Sequence, residues 1–81
     1  MELSKTVQKC LVSFEKAVTK GLSNRGRLGH ETPVGDLFVY KKLITMIKEN
    51  QIRRAKTLVE NLNSIAQQKV PQKILYLVYS S

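Results

Sequence analysis

The sequence is poor in the residues that build enzymes, metal centres and cross-linked folds. It has one cysteine (Cys10), one histidine (His30) and no tryptophan. A single cysteine excludes a disulfide within the chain. One cysteine and one histidine do not close a tetrahedral metal shell, so neither a metal nor another cofactor is expected. No apolar run approaches the roughly 18 residues that a membrane-spanning helix needs. The opening segment, MELSKTVQKCLVSF, lacks the continuous apolar stretch of a secretory signal. With a lone thiol, this points to the cytoplasm or another intracellular reducing compartment. Walker, GxSxG, HExxH and CxxC motifs are missing. Cys10 and His30 lie far apart in the chain, with Cys10 near an apolar helix face. No catalytic residue is assigned, and the chain reads as non-enzymatic.

Acidic residues are also scarce. Six Asp and Glu stand against fourteen Lys and Arg, for a net charge of +8. Such a field attracts polyanions. Nucleic acid, RNA or DNA, is the expected partner, and an acidic protein surface is the alternative. With 81 residues and 42% hydrophobic content, one small domain spanning 1–81 is expected. A domain of this size buries only about 60–65% of the surface its unfolded chain exposes. Without disulfide or metal, association is the remaining support, so a homo-oligomer or a subunit of a larger assembly is expected.

Periodicity predicts an all-α fold of three main helices with a helical hairpin at its centre. Residues 4–20 form the first helix, with Ser4 as N-cap and Gly21 just past its end. Val7, Leu11, Phe14 and Val18 share one face. Lys5, Lys9, Lys16 and Lys20 fall within an arc of about 60° on the opposite side. Residues 21–35 read as a loop rich in glycine and holding Arg25 and Arg27. Residues 36–49 form the second helix, capped by Asp36 or by Thr32 with Pro33 at its first position. Leu37, Tyr40, Leu43, Ile44 and Ile47 make a broad apolar face that Phe38, Val39 and Met46 widen, so this helix is the hub. Asn50 breaks the chain before a third helix over 51–68, with Ile52, Ala55, Val59, Leu62 and Ala66 on one side. Pro71 then opens a short C-terminal element, read as a helix, with a strand as the alternative because Ile74 to Val78 favours extended structure.

Several clusters are candidates for binding. The lysine stripe of the first helix can track phosphates. The Arg25-Gly-Arg27 segment pairs guanidinium forks with a glycine that lets backbone approach an anion. Arg53 and Arg54 stand near the start of the third helix, where their charge opposes the helix dipole. An ion pair between Glu49 and Arg53 would offset this. The apolar segment Leu75, Tyr76, Leu77, Val78 and Tyr79 needs covering and is the candidate surface for protein interaction or self-association. Stacking side chains are few: Phe14 and Phe38 read as core, and Tyr76 and Tyr79 as either packing or base-stacking residues. The second and third helices fit a DNA-reading helix-turn-helix poorly, since their break is too short and the third helix too apolar.

The stretch FVYKKLITMIKENQIRRAKTLVENL, residues 38–62, resembles one helical-hairpin unit of the pentatricopeptide type. Tyr40, Leu43-Ile44 and Ala55 carry the resemblance, although Ala55 comes one residue early, the usual turn glycine is missing and no second copy follows. The same stretch is similar to the N-terminal helices of the regulatory subunits of translation initiation factor 2B, without the large domain that follows them there. Both resemblances imply a helical hairpin. Phosphate-led nucleic-acid binding remains the leading expectation. The alternative is a protein-interaction module, and a viral or phage accessory protein fits either class.

Overall fold

The computed structural model describes residues 3–24 and 33–80. These residues form five helices and no strand: α1 (Lys5–Asn24), α2 (Val34–Lys48), α3 (Ile52–Glu60), α4 (Ser64–Gln68) and α5 (Gln72–Tyr79). The fold is all-α. α1 packs on α2, α2 on α3, α3 on α5, and α5 back on α1. Four helices thus close a ring, with the single turn of α4 bridging α3 to α5. One apolar cluster draws residues from every helix. α2 supplies the largest share, with Leu37, Tyr40, Leu43, Ile44 and Ile47 buried.

α1 begins as expected. The Ser4 hydroxyl accepts the Val7 amide at 3.2 Å, filling one of the orphan donors of the first turn. Its end differs. The helix runs through Gly21 to Asn24, so Gly21 is buried within the helix rather than past it. The reason is Leu22, which extends the stripe of Leu11, Phe14 and Val18 and packs on the core. That burial outweighs the roughly 1 kcal/mol that glycine costs inside a helix. The expected loop over 21–35 therefore loses both ends to helices. Its central residues, with His30, Arg25 and Arg27, lie outside the described segments.

α2 starts at Val34, not at Asp36. Pro33 stands at the N-cap position with φ −55° and ψ 143°, and its carbonyl accepts the Asp36 and Leu37 amides. Asp36 sits in the first turn, where its carboxylate faces the positive end of the dipole. Pro71 does the same for α5, at φ −56° and ψ 140°. Each proline stands one residue before its helix rather than at the first helical position. Its fixed φ suits the extended N-cap, and its missing N–H costs the helix nothing there.

The break between α2 and α3 is where Asn50 marked it. Asn50 has φ 59°. Its amide donates to Ile47 O at 3.1 Å and the Gln51 amide to Met46 O at 2.8 Å. This is a Schellman closure with asparagine in the left-handed position. It also interrupts the helix between Glu49, the C-cap of α2, and Arg53 of α3, so the expected i, i+4 pair between them does not form. Instead Lys48 bonds Glu15 of α1 at 2.7 Å.

The expected third helix over 51–68 is two helices. α3 stops at Glu60, and Asn63 turns extended with φ −70° and ψ 168°. Its side-chain oxygen accepts the Ala66 amide at 2.8 Å and caps α4. The Gln67 side-chain amide donates to Val59 O at 2.9 Å, which also accepts the Leu62 amide, and to Leu62 O at 3.3 Å, bracing the break. The bend tucks Ala66 beneath Tyr40, whose hydroxyl donates to Ala66 O at 2.7 Å. Tyr40 also packs against Phe14, with ring centroids 5.4 Å apart and planes tilted by 56°. α5 then buries Ile74 and Val78. The C-terminal element is a helix, and its apolar side is covered by its own chain.

Candidate nucleic-acid interface

α1 offers the clearest charged surface. Leu11, Phe14 and Val18 point into the core, so side chains half a turn away point out. Lys5, Lys9, Lys16 and Lys20 are all exposed there. Lys5, Lys9 and Lys16 line a shallow open strip with Gln8, Val12 and Ser13. The only carboxylate on this helix is Glu15, and Lys48 of α2 holds it with both oxygens within 2.8 Å. Lys48 thereby offsets the charge of the one acid on the helix that carries Lys5, Lys9 and Lys16.

α5 lies beside α1. Tyr76 and Tyr79 are 77% and 44% exposed. With Gln72, Lys73 and Leu75 they line a groove whose α1 wall is Val7. Residues three apart on a helix are neighbours, so Lys73, Tyr76 and Tyr79 form one stripe. Neither this helix nor any position after Glu60 carries an acid. The candidate protein-interaction segment thus divides. Tyr76 and Tyr79 face out, Leu75 and Leu77 are partly buried against the core, and Val78 is fully enclosed in it.

Arg53 and Arg54 are exposed, but they belong to α3. α1 and α3 occupy opposite corners of the ring, each with its apolar stripe turned inward. Their outer faces point away from one another, so Arg53 and Arg54 do not share a surface with the α1 lysines. The α2 and α3 side also carries Asp36, Glu49 and Glu60, which dilute its charge.

Phe38 departs from the reading as core. It is 54% exposed on the outer face of α2. Two residues from Tyr40, it lies about 200° around the helix, which is the signal that separates it from the buried face. Lys41, Lys42, Thr45 and Met46 share a shallow groove with it. Phe14, in contrast, is core.

Among the described residues, the titrating group that stands out serves the fold. Burial, with the Asp36 carboxylate adding to it, pushes the Tyr40 phenol up to about 12. Cys10 is a free, half-buried thiol packed against the core. Among the described residues no three His, Cys, Asp or Glu side chains gather where they could hold a metal. No helix among them is long and apolar enough to cross a membrane. No family model, no curated protein and no solved structure matches this chain, so the likenesses of residues 38–62 remain those of a hairpin pattern.

Proposed function

We propose that this protein is a non-enzymatic nucleic-acid-binding protein whose α1 lysine face leads the contact. The observation that carries this reading is the ridge itself: four lysines exposed opposite the core, on a helix whose single carboxylate is already tied to Lys48. Each phosphate neutralised by such a ridge releases condensed counterions, which drives binding without base recognition. Arg25 and Arg27 follow α1 directly in sequence and extend its basic run. Arg53 and Arg54 belong to a second, weaker basic face.

Fluorescence anisotropy with labelled RNA and DNA at low and physiological salt tests the reading, with an acidic protein as control. Four phosphate contacts give a log–log salt slope of about −3 to −4. Reversal of Lys5, Lys9, Lys16 and Lys20 to glutamate should abolish binding, while the same change at Arg53 and Arg54 should cost far less. Equal affinity for the acidic control, or binding that survives the α1 reversal, would sink the proposal.

One observation favours a second reading, the docking of an acidic protein partner on α2. Phe38 is an exposed aromatic with Lys41 and Lys42 one turn on and exposed Val34 one turn back. Phe38→Asp should then cost partner binding and leave nucleic-acid binding intact. Assembly with a second copy or a larger particle belongs to the proposal on grounds of chain length alone. Sedimentation at high dilution tests it, and a monodisperse, cooperatively melting monomer would count against it.

A further inference from the structure

We infer that the outer groove of α2 is a self-association surface, on which a second copy of this chain lays its own α2 antiparallel to the first. The inference rests on the assembly part of the proposal above and names the surface which that part leaves open. Phe38, Lys41, Lys42, Thr45, Glu49 and Gln51 line the groove, with half-buried Met46 at its edge. At 100° per residue, the side chains from Val34 to Glu49 that face this way fall within an arc of about 100°. Two of them are apolar and left in water: Phe38 is 54% exposed and Val34 51%. The buried face of α2 lies on the other side, so the core gives them no cover. The order of charges decides the occupant. The groove is basic at Lys41 and Lys42 and acidic at Glu49, and among the described residues none of the three makes an ion pair within the chain. A uniformly acidic ligand would meet repulsion from Glu49. A two-fold partner presents the same charges in reverse order. Lys41 and Glu49 stand four residues to either side of Thr45, so with Thr45 at the axis each Lys41 faces Glu49 of the other copy. Phe38 then reaches the turn beside Gln51 of that copy. Thr45 suits the axis. It is the smallest side chain in the groove, and its hydroxyl already donates to Lys41 O at 3.1 Å, so covering it strands no polar group. At physiological ionic strength the +8 of each chain is screened beyond about 8 Å, which leaves local pairing to set the register.

The experiment is sedimentation equilibrium of the full chain at physiological salt, from low micromolar to near-millimolar concentration. The wild-type chain is expected to dimerise. Glu49→Lys, and separately the double reversal Lys41→Glu with Lys42→Glu, should each weaken self-association by roughly tenfold or more. Each change appears twice across a two-fold axis and sets like charges opposite one another. Mixing the two variant chains should restore the dimer to near wild-type strength, because every charge contact between them is again Lys against Glu. Both variants remain basic overall, so bulk attraction does not account for the rescue. Phe38→Ala should weaken the dimer as well. All four side chains are exposed, and a thermal melt of each variant confirms the fold. Dimerisation that neither reversal weakens, or weakened variants that do not recover on mixing, overturns this surface and leaves the assembly reading standing. A chain that stays monomeric at every concentration overturns both and leaves the groove to an acidic partner.

Discussion

Tyr40 of α2 ties α1 and α4 to its own helix. It is fully buried, packs on Phe14 of α1 and hydrogen-bonds the backbone of α4. Tyr40→Phe keeps the ring and removes the hydroxyl. The Ala66 carbonyl retains the Lys69 amide at 3.3 Å, so it is not left alone. The expected loss is about 1 kcal/mol, read by chemical denaturation at neutral pH. A stronger signature lies at high pH. The phenol holds its proton to about 12 in the folded chain but only to the ordinary 10.0 when unfolded. Above pH 10 the unfolded state therefore sheds a proton that the folded state keeps. The stability from this group is complete below pH 10 and falls as the pH climbs to about 12, by up to ~3 kcal/mol. The lysines also titrate in this range, so the test is the difference between wild type and Tyr40→Phe. The variant should show the shallower decline, and parallel curves would contradict the argument.

At the scale of elements, helix ends decide the architecture. Asn50 at φ 59° is the clearest case. Asn50→Gly should be neutral or slightly stabilising, whereas Asn50→Val should cost about 1–2 kcal/mol, measured from denaturation midpoints. Asn63→Ala removes the α4 cap and should cost about 1 kcal/mol. Gly35 sits in the first turn of α2 with nothing within 4 Å of where a Cβ would stand. Gly35→Ala should raise stability by about 0.5–1 kcal/mol, and a lower melting temperature would show that the position serves another purpose. The elements themselves were legible wherever the apolar stripe was strong: Leu11 to Val18, Leu37 to Ile47, Ile52 to Val59. The ends were less so. The α3–α4 break escaped because Leu62 and Ala66 continue the periodicity across it, while the side chains of Asn63 and Gln67 supply bonds that periodicity does not register. Gly21 misled because a glycine reads as a stop unless the next turn has a leucine to bury. The lysine stripe followed directly from spacing. The separation of Arg53 and Arg54 from it did not, since only packing sets which helices stand at opposite corners.

For the whole molecule, charge and closure matter most. The Glu15–Lys48 pair is half-exposed, so its contribution to stability is within about 1 kcal/mol. Its larger effect is electrostatic. Glu15→Gln should barely move the melting temperature; under the proposed nucleic-acid reading it should also tighten that binding at low salt, with the gain vanishing as salt rises. The ring of helices has a consequence in time as well. α2 meets α3 after a short turn, but α1 meets α5 only across most of the sequence. The long loop that this last contact closes makes it entropically the most expensive to form, which favours its late arrival on the folding route. Trimming the α5 contact with Ile74→Val, at about 1 kcal/mol, should then steepen escape from the native state and leave the rate of refolding nearly untouched. In a chevron plot the unfolding arm would rise while the folding arm stayed in place. The α5 helix would act as the latch that sets how long the native chain survives, with little say in how fast it forms.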